Sequence, residues 1–96
     1  MSAPDTTTLR LRIEGSVQAV GYRYFAMEEA RRLALDGWIR NRSDGTVESL
    51  VSGNTQSVEA FVTICMRGPP GARVTNIEMH KADPPDGPGF HRRPSL

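Results

Sequence analysis

The sequence is poor in cysteine, lysine and histidine. Cys65 is the one cysteine of 96 residues, so an internal disulfide is excluded and a reducing compartment fits. His80 and His91 stand alone and no Cys/His spacing repeats, so no metal site is expected. No apolar run approaches the length of a membrane span, and Met1 to Thr8 has no apolar stretch of the kind a signal peptide needs. The expectation is a cytoplasmic protein without membrane contact. The formal net charge of +1 leaves no basic footprint for nucleic acid. Two domains are excluded by length.

What is present argues for a folded domain. Hydrophobic residues make up 38% of the chain, with Phe25, Trp38 and Phe61 among them, which is too many for disorder. Met1 to Thr8 is polar, carries a proline, and reads as a flexible tail ahead of a domain over residues 9–93. From Leu9 to Glu14 apolar and charged residues alternate, the period of a half-buried strand. From Arg23 to about Leu35 the period lengthens, with Ala26, Ala30, Leu33 and Ala34 on one face. Tyr22 and Phe25 lie near its start, and Glu28, Glu29, Arg31 and Arg32 lie opposite, which predicts an amphipathic helix. Asp36-Gly37 is the expected stop, since glycine commonly follows a helix terminus.

Trp38–Asn41 and Thr46–Ser52 read as strands joined in an antiparallel hairpin by the turn Ser43-Asp44-Gly45. Asn54 or Thr55 can cap a second helix whose apolar residues Val58, Phe61, Val62 and Cys65 recur at helical spacing. Gly68-Pro69-Pro70-Gly71 ends it. Val74 is out of phase with Ile77 and Met79, so the next strand is expected from about Asn76 to Lys81, with Val74 an anchor in the connection. Phe90–Arg93 is a short last strand, stopped by Pro94 and therefore at an edge. The order β-α-β-β-α-β predicts an α+β, ferredoxin-like split β-α-β fold, with two helices on one face of an antiparallel sheet. Many unrelated activities use that fold.

Chemistry gathers where the first strand meets the first helix, at "GSVQAVGYR". The loop lacks the glycine spacing of a dinucleotide fingerprint and the Gly-Lys-Ser/Thr of a nucleotide loop. Its small and aliphatic residues leave the backbone as the contact surface, and unpaired amides at a helix start favour an anion. Arg23 adds a forked, permanently charged donor. Alone, this stretch reads more readily as an ordinary turn carrying a surface arginine than as an anion site.

Gly15-x-Val17-Gln18-x-Val20-x-Tyr22-Arg23 resembles the first signature of the acylphosphatase family, G-x-V-Q-G-V-x-F-R. Gly37-Trp38-Ile39-Arg40-Asn41, then Gly45-x-Val47, then Gly53, resembles the second. "GPPGARV", ending at Val74, is similar to the family's connection before its fourth strand, and the resemblance covers about residues 9–93. It implies hydrolysis of the mixed anhydride between a carboxyl or carbamoyl group and phosphate. It further implies that Arg23 and the amides of about Gln18, Ala19, Val20, Gly21 and Tyr22 hold the phosphate. Asn41 would orient the attacking water. A small-molecule acyl phosphate is the implied partner, with no cofactor, no metal, no nucleic acid and a monomeric enzyme.

One departure is visible. Ala19 stands where the family usually has glycine, and at positive φ an alanine costs roughly 1–2 kcal/mol. That motivates an alternative, a phosphate-binding accessory module with weak or no turnover, as acylphosphatase-like domains occur within larger carbamoyl-transferring proteins. RNA recognition domains share the fold, but the first and third strands here carry no aromatic platform.

Overall fold

The structure, a computed structural model, describes residues 5–96. Its elements are β1 (Thr6–Ser16), α1 (Tyr22–Arg32), β2 (Asp36–Asn41), β3 (Val47–Asn54), α2 (Thr55–Arg67), β4 (Arg73–Lys81) and β5 (Phe90–Arg92). They form one five-stranded sheet in the order β4-β1-β3-β2-β5. The expected split β-α-β order is present.

Alternation along β1 sends Leu11 and Ile13 into the core, where they meet Ile39, Val51, Ile77 and Phe90 of the other strands. Two helices close this face. α1 buries Tyr22, Ala26 and Ala30, and its alanines allow close approach to the sheet. α2 buries Val58, Phe61 and Cys65, and the Phe61 ring meets Phe90 at 5.8 Å between centroids, tilted by 59°. Burying one such side chain stabilises the fold by about 1.5–3 kcal/mol. Asn54 caps α2, its Oδ1 accepting from the amides of Gln56 and Ser57 at 3.0 and 3.3 Å. The opposite face of the sheet is open and charged. There Glu48 accepts from Arg40 at 2.8 Å and from Arg42 at 3.1 Å. The guanidiniums of Arg40 and Arg93 each lie 4.8 Å from the Trp38 ring centroid.

Four details depart from the sequence reading. β1 begins at Thr6, so Thr6 to Thr8 belong to the sheet rather than to a tail; residues 1–4 of that expected tail lie outside the described residues. The early strand has no apolar alternation because hydroxyls hold it: Thr7 pairs with Thr55 at 2.7 Å and Thr8 with Ser52 at 2.6 Å. β4 begins at Arg73, because the register shifts where Glu14 faces Asn76 but Gly15 faces Val74. Thr75 is thus the extra residue of a bulge, which brings Val74 and Ile77 into one strand despite their phase.

The end of α1 is the third departure. It closes at Leu33, with the Leu35 amide donating to Ala30 O at 2.9 Å and the Ala34 amide to Arg31 O at 3.1 Å. That is a Schellman stop with Ala34 in the left-handed position at φ 58°. Gly37 is not the stop. It sits in β2 at φ 141°, where a Cβ would lie 1.9 Å from Leu50 O. Lastly, β5 pairs with β2 in parallel, so the sheet is mixed. The chain reaches β5 after crossing from β4 to the opposite edge, which no local hairpin could do.

Candidate active site

The loop after β1 is shaped by glycines for separate reasons. At Gly15 (φ 127°) a Cβ would lie 2.0 Å from Arg73 O, so only glycine lets β4 come that close. Gly21 caps α1 from the left-handed region at φ 75°, without a side-chain cap and without an acid in the first turn. The first intrahelical bond runs from the Phe25 amide to Gly21 O at 3.0 Å. Amides of the turn before it therefore have no capping side chain and remain available to an anion. Ala19 holds φ 60°, which settles the question its substitution raised: this alanine occupies the conformation that favours glycine.

Across from the loop stands Asn41, the last residue of β2. It shares a face with Ile39, two residues before it, and that is the face the helices cover. Its Oδ1 is enclosed and finds no hydrogen-bond partner, a condition that costs about 1–3 kcal/mol until a donor is supplied. Its backbone is held from outside, since the Leu96 amide donates to Asn41 O at 3.0 Å. The hairpin behind it has the expected turn: the Arg42 amide donates to Thr46 O at 2.9 Å, and Asp44 accepts from the Thr46 amide and hydroxyl at 3.0 and 2.6 Å. These hydrogen bonds from Thr46, ahead of the nearby arginines, hold the Asp44 carboxyl below its ordinary pKa.

Loop and hairpin enclose a cavity of about 110 Å³ that brings together Ala19, Gly21, Arg23, Tyr24, Asn41 and Arg92 over a floor of Val17 and Tyr22. Arg23 and Asn41, eighteen residues apart, thus share one chamber. Gln18 and Val20 do not line it. The Gln18 side chain turns away, its Nε2 donating to Arg42 O at 2.8 Å and to Thr46 O at 2.9 Å, so it ties the loop to the hairpin. Val20 packs against the core. Tyr22 borders the chamber while its hydroxyl donates to Cys65 O at 2.6 Å. Burial pushes the Tyr22 hydroxyl well above the usual tyrosine range. The Cys65 thiol is pushed up to about 12, again chiefly by burial, which leaves it an inert core residue.

No acid lines the chamber. Among the described residues Arg23 and Arg92 make no ion pair, while Arg12, Arg32, Arg40 and Arg42 are each bridged to a carboxylate. The chamber's potential is therefore positive. A larger depression of about 360 Å³ lies on the open face of the sheet, but Arg12 and Arg42 there are already satisfied by Asp44 and Glu48. Size favours that depression; chemistry favours the smaller one. Tyr24 and Arg92 escaped the sequence reading. Tyr24 looked like an ordinary helix residue, and Arg92 reaches the chamber only through the non-local pairing of β5 with β2.

Fold and chamber together define a class: small α+β proteins with an arginine-lined cavity at a strand-to-helix turn beside an amide side chain. A family model described as Acylphosphatase matches residues 9–92. The acylphosphatase of Rhodospirillum rubrum is 49% identical over 89 residues, covering 93% of this chain and 98% of that protein. The solved acylphosphatase of Coxiella burnetii is 30% identical with a TM-score of 0.87, over 93% of this chain and 94% of that one. The chain also resembles part of the full-length HypF structure, described as phosphate- and nucleotide-bound, with a TM-score of 0.87 and 26% identity. It covers 98% of this chain but only 12% of that one. The chain belongs to the acylphosphatase family, and it is an enzyme that hydrolyses acyl phosphates.

Proposed function

We propose that the chamber binds the phosphoryl group through Arg23 and the amides of Gln18 to Tyr22, and that Asn41 orients the water that attacks it. The observation that carries this reading is the convergence of Arg23 and Asn41 on one cavity without an acid. Arg23 can meet two phosphoryl oxygens with parallel N–H donors. Phosphoryl transfer needs positioning and charge stabilisation more than covalent help, and fixed amides supply both without reorganising.

In the reaction the water oxygen bonds to phosphorus while the bond from phosphorus to the acyl oxygen breaks. The leaving group departs as a carboxylate, stable at neutral pH, so no strong general acid is called for. The proton of the water passes to a phosphoryl oxygen. Asn41 can accept from that water through Oδ1 and hold it in line with the leaving oxygen.

No step calls for a metal ion or cofactor. Among the described residues no group of three or more His, Cys, Asp or Glu could hold a metal, and no helix is long and apolar enough to cross a membrane. The enzyme acts on a small-molecule acyl phosphate, as a monomer, in the cytoplasm. Buried, unpaired Cys65 accords with a reducing compartment.

Phosphate release from benzoyl phosphate, measured with a chelator present, tests the reading. Arg23→Ala is expected to lower kcat/KM by about 10³-fold or more and Asn41→Ala by about 10²-fold. A wild-type rate retained by Arg23→Ala, or a wild-type rate lost to the chelator, would overturn it.

A further inference from the structure

The chemistry above makes no use of Arg92. In the parallel register of β5 on β2, Arg92 stands opposite Ile39, so both side chains project to one face of the sheet. Asn41, two residues beyond Ile39, shares that face. This is why an arginine from the far end of the chain lines the same chamber as Arg23 and Asn41. Its strand is firmly held. Arg31 donates to Phe90 O through Nε at 3.1 Å and Nη2 at 2.9 Å, the Gly37 amide donates to Gly89 O at 2.9 Å, and the Arg93 amide donates to Ile39 O at 2.9 Å. The guanidinium itself makes no ion pair among the described residues.

Burial divides the chamber into a floor and a mouth. Val17 and Tyr22 are almost fully enclosed, and the loop amides border them. Tyr24, 66% exposed, and Arg92, also exposed, are the two long side chains at the opening. A phosphoryl group seated on the loop must direct its acyl substituent outward, past these two.

We propose that Arg92 is a specificity residue for the acyl half of the substrate. It binds a second anionic group carried by the acyl chain, so the enzyme favours acyl phosphates with a negatively charged acyl group over neutral ones. The inference rests on the phosphoryl group occupying the loop and Arg23, as proposed above. A forked guanidinium suits a carboxylate or phosphate acceptor, and an unpaired cation at a mouth has no internal partner to compete.

The test compares 3- and 4-carboxybenzoyl phosphate with benzoyl phosphate, rigid substrates that differ by one carboxylate. In the wild type, kcat/KM for the better carboxybenzoyl substrate, divided by that for benzoyl phosphate, sets a selectivity ratio. Arg92→Gln is expected to lower the ratio about fivefold, mostly through KM, and Arg92→Lys to restore part of it. The wild-type ratio is expected to shrink as ionic strength rises from about 0.01 to about 1 M. A ratio unchanged in Arg92→Gln overturns the proposal. So does an equal loss on both substrates, which would assign the guanidinium to the phosphoryl group. Arg23→Ala on benzoyl phosphate, run alongside, reports on the seating of the phosphoryl group independently of the ratio.

Discussion

Ala19 and Ala34 both hold left-handed backbone, at φ 60° and φ 58°, one inside the anion loop and the other behind α1. A Cβ in that region costs about 1–2 kcal/mol. Glycine removes this cost but loses about 0.5–1 kcal/mol to the greater freedom of the unfolded chain. Each alanine-to-glycine change should therefore gain about 0.5–1 kcal/mol, a rise in Tm of about 2–8 °C for a domain of this size. Thermal melts of Ala19→Gly and Ala34→Gly check this. The loop already has the φ its fold requires, so Ala19→Gly is expected to bring no gain in kcat; a gain above about threefold would show that the methyl group distorts the cradle. At this scale the sequence was half legible. It raised the question at Ala19, because a signature glycine was missing, but could not supply the φ that answers it. It was silent at Ala34, because Gly37 nearby looked like the helix stop when it is glycine for the sake of Leu50 O.

Strands and loops bring the residues together, and Gln18 shows how. Its two bonds to Arg42 O and Thr46 O fasten the phosphate loop to the hairpin that carries Asn41. Gln18→Leu keeps the bulk, removes both bonds and leaves two carbonyls without that donor. Misplacing catalytic groups by a fraction of an ångström to 1 Å is costly, so kcat for benzoyl phosphate is expected to fall about tenfold or more. Inhibition by inorganic phosphate should change less, because the loop amides and Arg23 stay on one element. Equal losses in kcat and phosphate affinity would show that the glutamine shapes the cradle alone.

The hairpin has a pH signature too. Burial pushes the Glu48 carboxyl up, but the hydrogen bonds and charges of Arg40 and Arg42 outweigh it and leave the pKa lowered from the usual 4.5. A lowered pKa contributes stability that is present above the unfolded value and is lost as pH falls through the folded one. Glu48→Gln should therefore be less stable than wild type at neutral pH, with the gap narrowing under acid. Urea midpoints from pH 7 down to about pH 3 would show it. These ties were beyond reading from sequence: the turn Ser43-Asp44-Gly45 marked β2 and β3, but the bulge at Thr75, the hydroxyl pairs of Thr7 and Thr8, and the parallel docking of β5 depend on distant partners.

For the whole molecule, two helices and five strands were legible as elements because periods, turns and stops mark them locally, though not where β1 and β4 begin. The chamber was not legible in that way. Arg23 was marked by the loop's own chemistry and, with Asn41, by a resemblance to two short family signatures; Arg92 came from neither, since β5 finds β2 only in the folded chain. If one anion site is assembled from these separated pieces, its occupancy must be linked to global stability. On the proposed site, inorganic phosphate, a product of the reaction, is expected to bind the folded chamber and to have no counterpart in the unfolded chain. At about 100 times its Kd it should add about 2.7 kcal/mol, raising Tm by about 10–20 °C, where chloride at equal ionic strength does not. Arg23→Ala should abolish most of that rise. Arg10→Gln, on the open face, should keep it, because the charges there lie outside the chamber. A rise lost equally in both variants would mean that phosphate acts on the net charge of the molecule rather than in the cradle of residues 15–23.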